Sequence, residues 1–399
     1  MLRLISEITI TQQANDLYSN RAKIFTLDFV NECEIVSTWQ NLTTTAKLKF
    51  PRNIYVIDET GHRFPWTGKE ITQSTSGPLF MRGDKVSIKL GYIYDDFKGT
   101  ETTQLNEIFS GWISFVKNKM PVEIQCEDNM WKLKRIMCPN KFFPGSSYTV
   151  EKIITEVLGS VQGAGGSAIT VRDGVSGVVK LNVGDVRTQN ETVCELLERL
   201  AKDGGIHSYF RGDELRCSGI VYYPDDRVEE IFAFQNNIIS DDLEYRRKEE
   251  LNVAIKARSF INENSSGTNQ DGSDKKKTTR LEVLVGPNGE IPEHSFSGSK
   301  VEQIFLGAKT KEELIKRAKL ALPHVWYTGW FGSFLTFGQP TVRHGDAVVL
   351  RDNVLPERNG KYLIKQVDTT FGVKGFRQKV TLHLRIDQGY TVQEINAGL

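Results

Sequence analysis

Gly83-Asp84-Lys85-Val86-Ser87-Ile88-Lys89-Leu90 is the stretch that decides the fold class of this 399-residue chain. A Gly-Asp pair favours a turn, and the residues after it alternate between apolar and polar. Alternation with period two places the apolar side chains on one face, which predicts a strand in the wall of a sandwich or barrel. A second stretch of this kind occurs late in the chain, at Gly345-Asp346-Ala347-Val348-Val349-Leu350.

Two further strand-like segments follow each of these stretches. After the first come Phe109-Ser110-Gly111-Trp112-Ile113 and Val122-Glu123-Ile124-Gln125-Cys126. After the second come Gly360-Lys361-Tyr362-Leu363-Ile364 and Lys379-Val380-Thr381-Leu382-His383-Leu384. The shared order predicts two similar β meanders, although short β motifs also match by chance and the sequence leaves an internal repeat open.

The period changes from two to about 3.6 around Pro144, which we take as a domain boundary. Thr149 is a candidate N-cap of a first helix that ends at Gly159, and a second helix follows Asn190. Arg211-Gly212-Asp213 lies between two strand-like runs, where a hairpin turn is a better interpretation than an adhesion motif. We therefore predict a mainly β protein with a small α+β middle domain, divided near 1–140, 141–235 and 236–399.

The last predicted domain contains strands, one helix and a polar insertion. Thr310 and Glu313 form a capping box, and Pro323 ends the apolar face that follows. The segment Asn262–Arg280 contains no residue of the hydrophobic set. Because it cannot offset the entropy of ordering by burial, we predict a solvated loop at 262–280.

Composition argues against several classes of protein. Lys and Arg total 51 against 50 Asp and Glu, whereas a dedicated DNA-binding surface needs clustered positive charge. No stretch approaches the ~20 apolar residues of a membrane span, and the first residues do not resemble a signal peptide. The five cysteines show no metal-ligand spacing, so we expect reduced, buried thiols, no metal and no cofactor. Synthesis in a reducing cytoplasm follows.

Catalytic constellations are not apparent, and we predict that the chain is not an enzyme. The six histidines are spread singly, and Gly163-Ala164-Gly165-Gly166 lacks the lysine of a phosphate-binding loop. The adjacent acids Glu127 and Asp128 are predicted to point to opposite faces of a strand, which is poor geometry for a glycosidase pair.

Two aromatic or basic clusters are candidate subunit-interface residues. Tryptophan beside a basic run is typical of a barrel edge that contacts a neighbour, and aromatic side chains are enriched at buried interface centres. The sequence allows an ordinary solvated surface as an alternative for the first cluster and core filling as an alternative for the second. The candidates are Trp131, Lys132, Lys134, Arg135, Trp326, Tyr327, Trp330 and Phe331.

The C-terminal region resembles the end of phage late control gene D proteins. The residues concerned are Gly338–Leu350 and Gly360–Asp368. The middle stretch Thr192–Phe210 is similar to the family's helix-then-strand element, and the first domain matches through Phe109–Ile113 and Cys126–Asp128. The resemblance extends over most of the chain in the expected order.

This family contains baseplate hub proteins of contractile tails and injection systems, the hub part of valine-glycine repeat proteins among them. The resemblance implies two tube-like β-barrel domains per chain and a homotrimer that adapts a sixfold tail tube to a threefold spike around a central channel. Implied partners are the tail tube protein, a separate spike protein and other baseplate proteins, with DNA or effector only as cargo. The implied place of assembly is a virion tail or an injection-system baseplate, after synthesis in the bacterial cytoplasm.

Two other functions remain open on the sequence. A tail-associated peptidoglycan hydrolase or peptidase would need the catalytic group that the sequence does not reveal. A carbohydrate-binding adhesin would use the aromatic run Trp326–Phe331 to stack on sugar.

Overall fold

The computed structural model describes residues 2–51, 54–66, 77–95, 101–117, 121–145, 147–159, 170–172, 183–204, 206–217, 227–268, 274–305 and 308–389. Strands outnumber helices throughout this part of the chain, so the predicted mainly β class is confirmed. The segment Gly163-Ala164-Gly165-Gly166 lies outside the described residues.

The described residues of the first third of the chain form nine strands. They are β1 Leu2–Thr11, β2 Ile24–Leu27, β3 Glu32–Thr38, β4 Thr45–Phe50, β5 Ile54–Asp58, β6 Arg63–Trp66, β7 Lys85–Asp95, β8 Glu101–Lys117 and β9 Val122–Glu127.

Helices and short strands follow. They are α1 Met130–Leu133, β10 Lys141–Phe143, α2 Val150–Gly159, β11 Thr170–Arg172, β12 Val186–Thr188, α3 Val193–Gly204, β13 Ser208–Arg211 and β14 Glu214–Cys217.

The rest of the chain is again rich in strands. The elements are β15 Glu229–Ala233, β16 Ile238–Asp241, β17 Glu244–Arg246, β18 Val253–Thr268, β19 Asp274–Gly286, β20 Gly289–Glu290, β21 Ser299–Ile304, α4 Lys311–Ala321, β22 Gly329–Phe331, β23 Ser333–Phe337, β24 Ala347–Arg351, β25 Gly360–Gly372 and β26 Gly375–Arg385. Within the described residues, 3-10 turns lie at Lys248–Glu250, Glu293–Ser295, Leu322–His324 and Pro356–Arg358.

The predicted helix starts are confirmed by their capping bonds. The Thr149 hydroxyl accepts from the amide of Lys152 at 3.3 Å, and the Thr310 hydroxyl accepts from the amide of Glu313 at 3.2 Å. The Glu313 carboxylate accepts from the amide of Lys309 at 3.0 Å. These bonds satisfy amides that have no partner within the helix.

One large sheet contains two strand modules. The first module has the order β3-β4-β9-β8-β7-β1-β2-β5-β6, and the second has the order β16-β23-β26-β25-β24-β15. The inner face of the first module forms one apolar cluster to which β1–β5 and β7–β9 all contribute. A second cluster lies inside the second module and includes Phe232, Phe334 and Val348.

An antiparallel pairing between β3 and β25 joins the two modules, and we call it the internal seam. It extends from Gln366 opposite Thr38 to Gly372 opposite Glu32. Phe376 of the second module is fully buried in the cluster of the first. Two halves that are far apart in the sequence therefore share one sheet and part of one core.

The Gly-Asp turn of the first module is held by four backbone and side-chain bonds. Gly83 has a positive φ of 97°, which glycine adopts without strain. Its amide donates to the carbonyl of Ile113 at 2.8 Å, and the Ile113 amide donates to the carbonyl of Asp84 at 2.8 Å. The Asp84 amide donates to the carbonyl of Met81 at 3.1 Å, and its carboxylate accepts from the Met81 amide at 2.9 Å.

The second Gly-Asp turn repeats each of these bonds. Gly345 has a φ of 86°, and its amide donates to the carbonyl of Ile364 at 2.9 Å. The Ile364 amide returns to the carbonyl of Asp346 at 2.9 Å. Asp346 donates to the carbonyl of Arg343 at 3.1 Å and accepts from its amide at 2.8 Å. The two modules are therefore equivalent at this turn.

A register shift follows the same residue in both meanders. Between β8 and β9 the shift lies between Ile113 and Phe115. Between β25 and β26 a shift lies between Ile364 and Gln366. One extra residue in the same place of two strands bends both alike, which extends the equivalence beyond the turn.

The prediction of a solvated loop at 262–280 was wrong. β18 and β19 pair antiparallel from Ile255 opposite Val285 outwards to Asn264 opposite Lys276, with a last pair of Thr268 and Asp274 beyond a register shift. Residues 269–273 lie outside the described part. Backbone hydrogen bonds between paired strands form whatever the polarity of the side chains, and the buried inner half of the hairpin sets the register for the polar outer half.

Candidate assembly interface

The first predicted interface cluster surrounds a pair of stacked indoles. Trp131, on the one-turn helix α1, stacks on Trp112 of β8 with ring centres 6.0 Å apart. The Arg135 guanidinium lies 3.6 Å from the centre of the Trp131 ring, and the Lys132 ammonium lies 4.0 Å from that of Trp112. Such cation–π contacts hold basic side chains in place at a surface.

The structure brings three of the four predicted residues of this cluster together. Lys134 instead forms an ion pair with Glu127 at 2.6 Å. Burial lowers the pKa of Lys132 and of Arg135 from their ordinary values. The cluster is therefore a partly desolvated basic surface, and its place in an interface stays a prediction.

The second predicted cluster divides by burial. Tyr327 is 2% exposed and Trp330 is 8% exposed, both within the core of the second module. The Trp330 indole donates to the carbonyl of Arg358 at 3.1 Å. Both rings fill the core, so the interface assignment is corrected for these two. Trp326 and Phe331 are only partly buried, and for them the prediction stands.

Three aromatic heterocycles meet where the two modules join the middle region. Trp39 lies 4.7 Å from His207 and 5.0 Å from His383 between ring centres. Burial, with the nearby charge of Arg258, lowers the pKa of His207 to about 4. Burial, with Lys365 and His207 nearby, lowers the pKa of His383 to about 3. Both imidazoles are therefore neutral at pH 7.

A cavity of about 70 Å³ lies at the end of the internal seam, and its lining includes Ser37, Phe109, Asp128, Arg211 and His344. The Ser37 hydroxyl and Nδ1 of His344 are 2.6 Å apart. Burial, followed by the charges of nearby arginines, holds the pKa of His344 well below its usual range. A cavity of this volume accommodates a few water molecules.

The adjacent acids Glu127 and Asp128 have separate structural partners. The Asp128 carboxylate accepts from the amide of Thr44 at 2.8 Å and from the amide of Met130 at 3.0 Å. Burial raises the pKa of Asp128 to about 7. Its oxygens thus anchor the turn into α1, while Glu127 binds Lys134 at the surface.

The predicted hairpin turn at Arg211-Gly212-Asp213 is confirmed. β13 and β14 pair antiparallel, with Arg211 opposite Glu214. The Arg211 side chain is only 14% exposed and forms an ion pair with Asp346 at 3.7 Å. This turn fixes the middle region against the second module.

The described residues give three further findings about sites. All five cysteines are buried and unbonded, as expected. In this part of the chain no group of three His, Cys, Asp or Glu side chains is placed to hold a metal ion. Nor does any helix of the described residues have the length and apolarity of a membrane span.

Sequence reasoning missed the strand edges that have no strand partner among the described residues. Phe115 is 52% exposed near the C-terminal end of β8. Glu244 and Arg246 of β17 are exposed as well. Alternation predicted strands here, but which edge has a partner depends on the sheet order.

No family model matches this sequence, and no curated protein matches it. Solved structures do. The chain is similar to the 43 kDa tail protein of prophage MuSo2 from Shewanella oneidensis, with a TM-score of 0.51 and 12% identity over 95% of this chain and 96% of that chain. It is also similar to a tail protein from Neisseria meningitidis, with a TM-score of 0.53 and 11% identity over 97% and 98%.

A third similar structure is a Francisella PdpA-VgrG complex, with a TM-score of 0.50 and 10% identity. The match covers 98% of this chain and 53% of that chain. At these identities the likeness concerns the fold. The chain has the fold of these solved tail proteins, and the resemblance stated from the sequence is confirmed at the level of the fold.

Proposed function

We propose that this protein is a structural subunit of the baseplate hub of a contractile tail or injection system. The observation that supports the proposal most strongly is the equivalence of the two Gly-Asp meanders, at Asp84 and Asp346, within one chain. Three chains with two equivalent modules each present six similar units. Such a homotrimer matches a sixfold tube on one side and a threefold spike on the other.

The proposed role is mechanical. The subunit assembles, matches the symmetries of its partners and surrounds a channel through which DNA or effector passes as cargo. The tail tube protein, a separate spike protein and other baseplate proteins are the proposed partners, in a virion tail or an injection-system baseplate. The solved tail proteins of the same fold support this role.

The mass of the purified chain in solution tests this proposal. Size-exclusion chromatography with light scattering should give about three times the 45.1 kDa chain mass. Averaged electron micrographs should show a ring with a central opening. A monomer that degrades purified peptidoglycan would contradict the proposal in favour of a hydrolase, and a monomer retained on a carbohydrate matrix would favour an adhesin.

A further inference from the structure

The internal seam defines a register between the two modules. Residues of β25 after its register shift pair with β3, so that Gln366 lies opposite Thr38 and Asp368 lies opposite Val36. β25 is thus paired on both sides there, with β26 on one edge and β3 on the other.

Because the two modules are equivalent, the β25 side of the internal seam has a counterpart in the first module, which is β8. Ile113 corresponds to Ile364 through the Gly-Asp turn bonds, and each precedes the register shift. Phe115–Lys117 therefore correspond to 366–368. Phe115–Lys117 pair with β9 on one edge. Among the described residues no strand pairs with the other edge of Phe115–Lys117. The corresponding edge of β25 pairs with β3 in the internal seam.

By the same equivalence, the β3 side of the internal seam has its counterpart in β16 and β17 of the second module. β4 pairs with β9 as β23 pairs with β26. Cys33 lies opposite Leu48 of β4, and Asp241 lies opposite Phe334 of β23. Counting along the chain, residues 36–38 of β3 correspond to 244–246, which form β17.

β17 also has a free edge. It pairs with β22, and β16 is the last strand at its end of the large sheet. In the described part of the chain no strand covers the opposite edge of Glu244–Arg246. Each chain thus presents two unpaired edges whose counterparts are paired with each other in the internal seam.

We propose that Phe115–Lys117 of one chain pairs antiparallel with Glu244–Arg246 of a second copy, so that the internal seam is repeated between chains. The transferred register places Lys117 opposite Glu244, Val116 opposite Tyr245 and Phe115 opposite Arg246. Every chain contributes one edge of each kind, and a contact of this heterologous type closes into a ring. This inference rests on the proposed homotrimer and defines its contact.

Side-chain chemistry supports this register. Lys117 and Glu244 have opposite charges and are both exposed, and opposite charges directly across two strands attract. Within one chain Lys117 lies 3.6 Å from Glu123 and Glu244 lies 2.6 Å from Arg246, so the proposed contact would join two ion pairs that are already present. The exposed Phe115 ring meets a guanidinium at Arg246, a favourable cation–π pair.

The surroundings of the two edges are complementary as well. Two basic residues lie close to β8. Arg82 precedes Gly83, whose amide donates to the carbonyl of Ile113, and Arg135 stacks on Trp131, which in turn stacks on Trp112 of β8. The β16–β17 edge is acidic at Asp241, Asp242 and Glu244, all exposed. Attraction between the two sets favours the orientation that the register requires.

Cross-linking the chain tests the register directly. The double variant Lys117→Cys with Glu244→Cys places two thiols on residues that should face each other, with Cα atoms about 4.5–5.5 Å apart, within disulfide range. The native cysteines are all buried and will not compete. After mild oxidation, a non-reducing gel should show covalent species of two and three chains.

The matched control moves one thiol along the same edge. In Lys117→Cys with Asp241→Cys the two positions are displaced by about 10 Å, so inter-chain cross-linking should fall at least tenfold.

A charge exchange gives a second measurement. Lys117→Glu or Glu244→Lys alone should weaken trimer formation at least threefold, and the two together should restore it.

The outcomes separate this inference from the proposed function. A trimer that does not cross-link at 117 and 244, or that cross-links equally at 117 and 241, would overturn the seam and leave the trimer standing. A cross-link confined to single chains would overturn it too. A wild-type chain that stays monomeric would overturn both.

Discussion

Asp84 and Asp346 hold the same place in the two modules, yet their counterions differ. Asp84 forms an ion pair with Arg21, and the side chains are 1% and 0% exposed, respectively. Asp346 lies 3.7 Å from Arg211, with side chains 10% and 14% exposed. Two turns with the same backbone geometry are therefore stabilised by ion pairs of unequal burial.

The variant Asp84→Asn should destabilise the protein strongly, because it leaves the buried Arg21 without its counterion. Removing one partner of such a pair costs about 3–5 kcal/mol. Asp346→Asn is the matched control, and its cost should be less than half as large because burial raises the pKa of that carboxyl. Urea unfolding of both variants measures the difference, and equal costs would contradict this account.

The variant Gly111→Ala should fold poorly. A Cβ on Gly111 would lie 2.2 Å from the carbonyl oxygen of Glu127, a backbone atom that cannot move aside. We expect a loss of about 3 kcal/mol or more in the free energy of unfolding. Gly159→Ala is the control, since nothing lies within 4 Å of its added Cβ. A thermal melt of Gly111→Ala that matches the wild type would contradict the structure at this strand.

The contribution of His207 and His383 to stability should fall as the pH decreases from about 6.5 towards 4. His207 and His383 have a lowered pKa in the fold, at about 4 and about 3, while an unfolded histidine has a pKa of about 6.5. In this window the unfolded chain binds the protons first, so the folded state loses about 1–2 kcal/mol per histidine at pH 5.

Urea midpoints measured at several pH values test this linkage. Asp128, whose raised pKa of about 7 has the opposite effect, is present in every sample and cancels in comparisons between variants. His383→Gln should flatten the pH dependence between 6.5 and 4. His62→Gln, at an exposed position, should leave it unchanged. An unchanged slope in His383→Gln would show that this imidazole is not buried as described.

The charge reversal Arg135→Glu should separate assembly from folding. Arg135 is exposed and stacks on Trp131, so its loss should cost the isolated chain about 1 kcal/mol or less. If the basic cluster contacts a neighbouring subunit, the trimeric fraction in light scattering should fall severalfold. Lys152→Glu on the exposed side of α2 is the control. Unchanged assembly would remove the cluster from the interface.

Local patterns predicted the local elements well. Thr149 and Thr310 begin their helices with the expected side-chain bonds, because an N-cap acts within four residues. Each Gly-Asp pair precedes a strand as predicted, because turn formation also depends on only a few neighbouring residues. The segment 262–280 was the exception, since its strands inherit their register from distant buried residues.

The candidate interface was predicted only in part. The sequence identified Trp131 and Arg135 as an aromatic and basic pair, but it could not separate Tyr327 and Trp330, which fill the core, from Trp326 and Phe331, which remain partly exposed. Burial of a ring depends on what packs against it from elsewhere in the chain. The free edges of β8 and β17 were missed for the same reason.

By itself, the sequence determined that this protein is mainly β, where its helices begin and where Gly-Asp turns precede strands, because alternation, capping and turn formation act over a few residues. It left open whether the two meanders near the ends of the chain are an internal repeat. Only the tertiary structure decided that β3 and β25 join these meanders into one sheet. It alone also decided which edges were left unpaired, because strand pairing between distant segments depends on the packing of the whole chain.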